Sequence, residues 1–186
     1  MASNQSGMTD AKIEIRAATA SDNTVLAEFG AQTFYDTYAA DTPSEELAAY
    51  IADAFDPGVQ SAELADPRSV FLIAEVDGEI VGYARLREGP PPSNVAGKRP
   101  IELERIYASK AWIGQGVGSA LMEACLAEAG RRGRDSIWLG VWERNTRAQA
   151  FYRKWGFNEA GTQPFQMGDE LHNDVLMQRR VDMTSK

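Results

Sequence analysis

The most informative segment of the chain reads Arg105-Ile-Tyr-Ala-Ser-Lys-Ala-Trp-Ile-Gly-Gln-Gly-Val-Gly-Ser-Ala-Leu121. A strand ends near Tyr107 and a loop follows. The loop enters a helix through three glycines, Gly114, Gly116 and Gly118. Because glycine lacks a Cβ atom, such a loop can turn tightly and expose backbone N–H groups at a helix N-terminus, where the helix dipole favours anions. The segment predicts a phosphate or pyrophosphate site; the alternative is a tight turn without a ligand.

Two common nucleotide-binding motifs do not match this loop. A P-loop requires Lys and then Ser or Thr after its glycines, whereas Ser119-Ala120 follows Gly118. The dinucleotide fingerprint requires its last glycine where Ser119 stands, and it requires glycines directly after the strand, whereas residues 108–113 intervene. A dinucleotide oxidoreductase is therefore a distant alternative.

The rest of the chain predicts one α/β sheet in the order β-α-α-β-β-β-α-β-α-β-β. Asp77-Gly78 is a hairpin signal between two strands, and a later strand–helix–strand unit requires a parallel pair with a right-handed crossover. Strands are predicted at 13–15, 69–76, 79–87, 101–107, 136–142, 157–161 and 174–181, and helices from Ser21, at 43–55, 117–129 and 145–155, with 56–58 ending the second helix. The fold class is a single mixed, mostly antiparallel sheet with a central parallel strand pair and helices on both faces.

Length and charge restrict the classes of partner. The 186 residues, 44% of them hydrophobic, suit a single domain, which we place at 11–182 after a disordered N-terminal segment at 1–10. No apolar run approaches the ~20 residues of a membrane span. A net charge of −8 repels phosphate backbones. We therefore expect neither a membrane nor a nucleic acid as partner.

Cysteine and histidine are scarce. The single cysteine, Cys125, and the single histidine, His172, cannot build the usual zinc sites, so we expect no metal. One cysteine also forbids a disulfide within the chain, which fits the reducing cytoplasm. Cys125 lies on the apolar face of a predicted helix, so a nucleophilic thiol is not expected.

A second motif follows the strand at 136–142. It comprises Asn145, Ala148, Phe151-Tyr152 and Gly156-Phe157. This is similar to the Asn-x-x-Ala-x-x-Phe-Tyr-x-x-x-Gly-Phe signature of the GNAT superfamily of N-acetyltransferases.

The glycine-rich loop carries the same resemblance. Gly114–Leu121 resembles the acetyl-CoA loop of that superfamily, usually written Arg/Gln-x-x-Gly-x-Gly/Ala, and the two motifs stand in the family's order and spacing. The resemblance covers roughly residues 69–181. One departure is Ile113, because the family usually has Arg or Gln there to help with the phosphate charge.

The resemblance implies an acyl-CoA N-acyltransferase fold, acetyl-CoA as cosubstrate, and direct acetyl transfer to a primary amine. It implies that Tyr152 points at the thioester sulfur, where a neutral phenol can protonate the leaving thiolate; the alternative is a core tyrosine. Backbone groups of the strand end would pair with the pantetheine amides. The residues expected to contact the cofactor are Ile106, Tyr107, Ala108, Gly114, Gln115, Gly116, Val117, Gly118, Ser119, Asn145 and Lys154. For Asn145, the alternative is a helix cap.

A proton acceptor is also required, because an alkylamine with a pKa of about 10 is almost entirely protonated at pH 7. Glu102 and Glu104 alternate with Leu103 and Arg105, so both carboxylates share one face of a strand. The resemblance implies that a carboxylate on this strand takes the proton through water. We assign Glu104, nearer the open end of the strand; the alternative is a pair that binds the substrate or meets solvent.

The acceptor is predicted to be a small cationic amine. Phe34, Tyr35 and Tyr38, with Asp41, Glu45 and Glu46, offer aromatic faces and carboxylates; the alternative is ordinary core and solvated helix starts. The segments 101–107 and 139–143 resemble the spermine/spermidine acetyltransferase branch. Other hypotheses are a protein N-terminal or lysine acetyltransferase and a catalytically silent acyl-CoA-binding sensor or interaction module. Homodimers are common in families of this sort.

Overall fold

The computed structural model describes residues 12–167 and 170–182, so the segment predicted to be disordered, 1–10, lies outside the described residues. Within them the chain forms one seven-stranded sheet in the order β1-β2-β3-β4-β5-β7-β6. The strands are β1 (Glu14–Ala17), β2 (Ser69–Val76), β3 (Glu79–Arg87), β4 (Pro100–Ala108), β5 (Ser136–Trp142), β6 (Asn158–Met167) and β7 (Glu170–Arg180). The α-helices are α1 (Asn23–Tyr38), α2 (Ser44–Ala54), α3 (Pro57–Ala65), α4 (Val117–Arg131) and α5 (Thr146–Lys154), and 3₁₀ turns cover Ala20–Asp22 and Lys110–Trp112.

The predicted fold class is confirmed. All neighbouring strands in the described sheet pair antiparallel except β4 and β5, which are parallel. The crossover between these two central strands is α4, because antiparallel neighbours can be joined by hairpins whereas a parallel pair requires a longer connection. Among the described residues, no helix combines the length and apolar character that spanning a bilayer requires.

The two faces of the sheet bury different helices. On one face, Leu121 and Cys125 of α4 and Tyr152 of α5 pack against inward-facing residues of the central strands in the largest core cluster. On the other face, Leu26 of α1 packs against Tyr83 of β3. Helix α2 extends this second layer over the end of the sheet. Helices therefore cover both faces, as predicted.

The prediction that residues 56–58 only end a helix is wrong, because they also begin another one. Asp56 Oδ1 accepts hydrogen bonds from the backbone N–H groups of Gly58 (2.7 Å) and Val59 (3.3 Å), and Pro57 is the first residue of α3. An aspartate N-cap followed by proline is a typical helix start. Helix α3 brings Gln60 and Glu63 onto the sheet, and this matters for the site.

The last two strands are longer than predicted. The segment at 157–161 continues through Pro164 to the end of β6, and β7 begins before residue 174. Proline usually interrupts a strand, but β6 lies at the edge of the sheet, where a missing N–H donor is tolerated.

The central parallel pair opens after three residue pairs. The register joins Pro100 to Ser136 and Glu102 to Trp138 at its two ends, and no later residue of β4 pairs with β5. A register shift in the β3–β4 ladder leaves Glu104 without an opposite residue on β3, and such a bulge bends the strand that carries it. Strands β4 and β5 therefore diverge toward their carboxyl ends.

Candidate active site

The glycine-rich loop forms a left-handed entry into α4. Gly114 has a φ of 81° and Gly116 a φ of 92°, a region of backbone conformation that favours glycine. Gly116 is the N-cap of α4, and residues 113–116 are exposed. The first backbone N–H groups of a helix have no intrahelical acceptor, so those at Val117, Gly118 and Ser119 are directed outward from the helix start. The predicted anion site therefore has the required backbone geometry.

Exposed cations surround this loop. A Cβ atom on Gly118 would lie 3.5 Å from the Phe151 ring, so the start of α4 adjoins α5. Arg147 and Lys154 stand four residues before and three residues after Phe151, on the same face of α5. Together with Lys110, which precedes the loop, they are exposed and have no ion-pair partner within the described part of the chain. These side chains are placed to supply positive charge that Ile113 lacks.

The β4–β5 opening exposes one edge of β4. Ile106, Tyr107 and Ala108 pair with β3 on one side, and the ladder to β5 does not reach them on the other side. Main-chain groups along such an edge can accept an extended ligand as an added strand would. The structure thus places the predicted pantetheine edge at the opening, next to the loop that leads to α4.

Tyr152 lies inside the core on the α4–α5 face. It is 8% exposed, and its ring lies 5.5 Å from that of Phe151 and 5.8 Å from that of Phe157. Burial raises the pKa of the Tyr152 phenol, so the side chain keeps its proton at neutral pH. Tyr152 also lies close enough to Tyr38, on the other face, for the two phenols to interact electrostatically. The structure combines the core position with the protonation state expected of a donor.

Asn145 joins β5 to α5 as a cap. Its Oδ1 atom accepts a hydrogen bond from the backbone N–H of Ala148 at 3.1 Å. Gln149 strengthens the same junction by donating from Nε2 to the carbonyl oxygens of Trp142 and Glu143 at 3.2 and 2.9 Å. The capping alternative for Asn145 is therefore present, and contact with the cofactor stays a prediction.

Glu102 and Glu104 meet on one face of β4, as predicted. Both contact Arg87, at 2.7 Å from Glu102 and 3.1 Å from Glu104. Glu104 Oε2 also pairs with Arg85 and lies 3.8 Å from Arg105 Nε. Both oxygens of Glu104 are therefore engaged by guanidinium groups, so a proton could reach the carboxylate only in competition with these contacts.

Helix α3 completes this set of charges. Glu63 pairs with Arg85 and Arg105, each at 2.7 Å, and Gln60 accepts a hydrogen bond from Arg105 at 3.3 Å. Arg85 and Arg105 are almost fully buried, so their pairing is required for stability. We call this set the ion network; its charged members are Glu63, Arg85, Arg87, Glu102, Glu104 and Arg105.

A row of aromatic rings lies beyond the ion network, over the β5 side of the opening. Tyr38 stacks on Phe34 at 4.4 Å between centroids and lies 4.8 Å from the Trp142 ring, and Tyr50 lies 4.8 Å from Phe34. Phe34 and Tyr38 were predicted for the amine pocket and belong to this row. Tyr35 does not, because it is 51% exposed on another side of α1.

The acidic residues predicted for the amine pocket, Asp41, Glu45 and Glu46, are not part of the aromatic row. Asp41 pairs with Arg144 at 3.3 Å, an exposed contact that ties the loop after α1 to the segment after β5. Glu45 lies exposed in the first turn of α2, and the neighbouring Glu46 is half-buried there.

Asp174 of β7 is the carboxylate that the sequence analysis missed. It pairs in register with Trp142 on one side and with Gln163 on the other. Its Oδ1 atom is buried and has no hydrogen-bond partner among the described residues. Burial raises the pKa of Asp174 to about 6; nearby His172 lowers it and Glu143 raises it. The available signal was weak: Asp174 is the first residue of the predicted strand at 174–181 and its one acidic residue.

Two further observations limit the chemistry. Cys125 is fully buried, and burial raises the pKa of its thiol, so a thiolate nucleophile is not available there. Within the described ranges, no group of three or more His, Cys, Asp or Glu side chains is arranged to hold a metal ion.

The fold and the loop together define an N-acyltransferase, and comparisons with known proteins specify its family. The model of the acetyltransferase (GNAT) family matches residues 31–157. An uncharacterized N-acetyltransferase of Mycobacterium bovis is 38% identical over 157 residues, which are 84% of this chain and 96% of the relative. The aminoglycoside N(6')-acetyltransferase type 1 of Stenotrophomonas maltophilia is 32% identical over 146 residues, 78% of this chain and 86% of the relative.

A solved structure has the same architecture. The PaiA N-acetyltransferase of Thermoplasma acidophilum, in complex with coenzyme A, is similar with a TM-score of 0.74 at 22% identity, covering 91% of this chain and 99% of that one. The chain belongs to the GNAT family of acetyltransferases. The predicted family, the enzyme class of an acetyl-CoA-dependent N-acetyltransferase and the predicted cosubstrate are confirmed.

Proposed function

We propose that this chain transfers the acetyl group of acetyl-CoA directly to the primary amine of a small cationic acceptor. The observation that carries the proposal is the opening between β4 and β5, which adjoins the α4 loop on one face and the aromatic row on the other. An opening through the sheet lets a donor bound on the α4 side react with an acceptor bound on the α1 and α2 side.

The donor side fits a diphosphate joined to an extended amide chain. The N–H groups at the start of α4 and the cations Lys110, Arg147 and Lys154 would hold the phosphates. The free edge at Ile106, Tyr107 and Ala108 would pair with the pantetheine amides. Gln115 and Asn145 lie at the two adjacent helix starts, within the same region. Acetyl-CoA supplies an activated acetyl group as its thioester.

Tyr152 is the proposed proton donor. When the amine nitrogen bonds to the acetyl carbon, the C–S bond breaks and the thiolate requires a proton. A buried phenol remains protonated at neutral pH and can supply it. Glu104 stays a predicted proton acceptor, although its contacts with three arginines favour a structural role.

The acceptor side favours a cation. Aromatic faces attract ammonium groups, and the row formed by Phe34, Tyr38, Tyr50 and Trp142 borders the opening. The net charge of −8 would attract a polycation over a longer range. The relative from Stenotrophomonas is named for acetylation of an aminoglycoside, a small molecule that carries several amines.

Release of free thiol from acetyl-CoA tests the proposal. The panel should contain a linear diamine, spermidine, an aminoglycoside, free amino acids, and peptides with either a free N-terminus or a single lysine. We expect turnover with at least one of the small cationic amines, with an acetylated product confirmed by mass. Calorimetric titration with acetyl-CoA provides the parallel measurement of binding.

Each other outcome would replace the proposal by a stated alternative. Turnover confined to peptides would identify a protein acetyltransferase. Binding of acetyl-CoA without turnover of any amine would identify a sensor or interaction module.

A further inference from the structure

We propose that Asp174 binds the reacting ammonium group of the acceptor and accepts the proton that this group must release before attack. The inference rests on the proposed function and assigns to it a residue outside both family motifs. The reacting group of the acceptor is then a primary ammonium group, which binds in its protonated form. The support consists of position, burial and the aromatic surroundings of the carboxylate.

The Asp174 carboxylate borders the opening of the sheet. Gly140 is exposed, in contrast to the other residues of β5, and it lies in the part of β5 that no longer pairs with β4. A Cβ atom built on Gly140 would lie 3.0 Å from Asp174 Oδ2. A glycine at this position therefore leaves the surface beside the carboxylate open to a ligand.

Within the described residues, the compensation of the Asp174 charge is limited to nearby His172. Among residues 12–167 and 170–182, no lysine or arginine pairs with it, and its Oδ1 atom is buried without a hydrogen bond. Trp142 Nε1, on the neighbouring residue of β5, is also buried without a hydrogen-bond partner among them. A buried carboxylate is costly unless a cation or donors compensate it. A cationic ligand would supply that compensation.

Aromatic side chains complete a site for an ammonium group. Asp174 is close enough to Tyr38 and Tyr50, on α1 and α2, for its negative charge to contribute to raising the pKa of both phenols, although burial is the larger cause for each. Rings that face a carboxylate bind alkylammonium groups through cation–π attraction in addition to charge.

The protonation behaviour of Asp174 suits transfer of a proton. Its pKa of about 6 leaves it ionised at neutral pH while making it a better acceptor than an exposed carboxylate. The titratable groups that face it are Tyr38 from α1, Tyr50 from α2, His172 of β7 and Glu143 after β5.

The proton balance closes without an additional reactant. The ammonium nitrogen gives one proton to Asp174, and its lone pair then bonds to the acetyl carbon as the C–S bond breaks. The nitrogen releases a second proton as the amide forms, and this proton restores the Tyr152 phenol after it has protonated the thiolate. Asp174 finally returns its proton to solvent.

The test compares the wild-type chain with Asp174→Asn, which keeps the side-chain shape and removes the charge. The acceptor is the alkylamine that the wild type acetylates fastest in the panel above. We expect kcat/KM of Asp174→Asn to fall at least a hundredfold at pH 7. The deficit should shrink toward pH 10, because about half of the amine then carries no proton to remove.

A second acceptor separates proton removal from other causes. An analogue of the same alkylamine with two fluorine atoms beside the aminomethyl group has a much lower ammonium pKa, since fluorine withdraws electrons, so a substantial fraction of it is unprotonated at neutral pH. With it, the deficit of Asp174→Asn should be less than about tenfold at pH 7. Glu159→Gln is the control, because it removes an exposed carboxylate from the neighbouring strand β6, outside the proposed site, and should leave kcat/KM within about twofold.

Two results would overturn the inference while the proposed function stands. One is a kcat/KM of Asp174→Asn within about threefold of the wild type at pH 7. The other is a loss that is equal at every pH and equal for both amines, accompanied by a lower melting temperature, which would show a structural role. If the wild type acetylates no amine, the proposed function fails first, and this inference fails with it.

Discussion

Two groups of carboxylates on the same face of the sheet behave differently. In the ion network, Glu63, Glu102 and Glu104 each contact at least one arginine at 3.1 Å or less. On the β7 side of the opening, no lysine or arginine of the described residues pairs with Asp174, and nearby His172 is the group that lowers its pKa. The ion network matches every buried charge with another charge from the chain, whereas Asp174 presents a charge that, in our proposal, the ammonium group of the acceptor compensates.

The same distinction holds for the basic residues. Arg85 and Arg105 are buried and paired, whereas Lys110, Arg147 and Lys154 are exposed around the α4 loop and have no carboxylate partner in the described ranges. Paired charges fix α3 to the sheet. These three cations lie where the proposed donor would bind, and Asp174 lies where the proposed acceptor would bind. At these positions the lack of a lysine, arginine or carboxylate partner separates the proposed functional charges from the structural ones.

The largest expected effect concerns the paired group. Glu63→Gln removes one of the two carboxylates that pair with Arg85 and the nearer carboxylate of Arg105, and weakening the compensation of buried guanidinium groups is destabilising. We expect the free energy of unfolding to fall by about 3 kcal/mol, measured by urea denaturation. Glu14→Gln is the control, because the Lys12–Glu14 pair is exposed to solvent and should contribute little to stability. An unchanged stability of Glu63→Gln would remove the structural interpretation of the ion network.

Tyr152 tests the chemistry at the opening itself. Tyr152→Phe keeps the ring packed against Phe151 and Phe157 but removes the hydroxyl proton. We expect kcat to fall roughly tenfold to a hundredfold. The loss would be larger in a reaction with a poor leaving group, but a thiolate leaves readily even without a proton donor. The dissociation constant for acetyl-CoA, measured by calorimetry, should stay unchanged. A kcat equal to that of the wild type would assign Tyr152 to the core alone.

Asp174 should have the opposite stability effect to Glu63. Its folded pKa of about 6 lies above the ordinary value of 3.8, so protonation stabilises the fold below pH 4 and this contribution is lost as the pH rises through 6. Asp174→Asn lacks the charge at any pH. Allowing for partial exposure of the carboxylate, we expect the variant to be more stable than the wild type by roughly 1–2 kcal/mol at pH 8.

The measurement for Asp174 is urea denaturation of both chains from pH 4 to pH 8. The difference in free energy of unfolding should appear between pH 4 and pH 6 and then level off. A variant that is less stable at pH 8 would show that Asp174 is paired in solution, as Glu63 is. A gain in stability together with a loss of activity would mark a position kept for function.

The predictions from sequence were correct where the conformation depends on residues that are neighbours in the chain. The hairpin at Asp77-Gly78, the glycines before α4 and the motif from Asn145 to Phe157 each require particular backbone conformations or spacings, and the structure has them. The missed α3 has a different cause. Asp56-Pro57 can both follow one helix and cap another, and the deciding contacts are those of Gln60 and Glu63 with Arg105, which are distant in sequence.

The predictions for the candidate site have the same limit, because they did not include contacts between residues distant in sequence. Glu104 was selected from its spacing within β4, but its partners come from β3, and spacing within one strand does not report them. Asp174 was overlooked because its environment is assembled from β5, α1 and α2. Sequence motifs therefore predicted the backbone geometry of the α4 loop and the position of the α5 motif, which two short segments build, whereas on the acceptor side they predicted only aromatic residues; the contacts with the cofactor and acceptor stay predictions.

The smallest expected effect concerns the amount of positive charge beside the α4 loop on the donor side. Ile113 is 41% exposed beside the start of α4, where an added positive charge would face bound phosphates. We expect Ile113→Arg to tighten acetyl-CoA binding about two- to fivefold in calorimetry, with the gain decreasing as salt is added. Ile113→Gln, which adds polar length without charge, is the matched control and should gain less. Unchanged affinity of Ile113→Arg would mean that Lys110, Arg147 and Lys154 already neutralise the phosphates, and their separate replacement by methionine should then weaken binding.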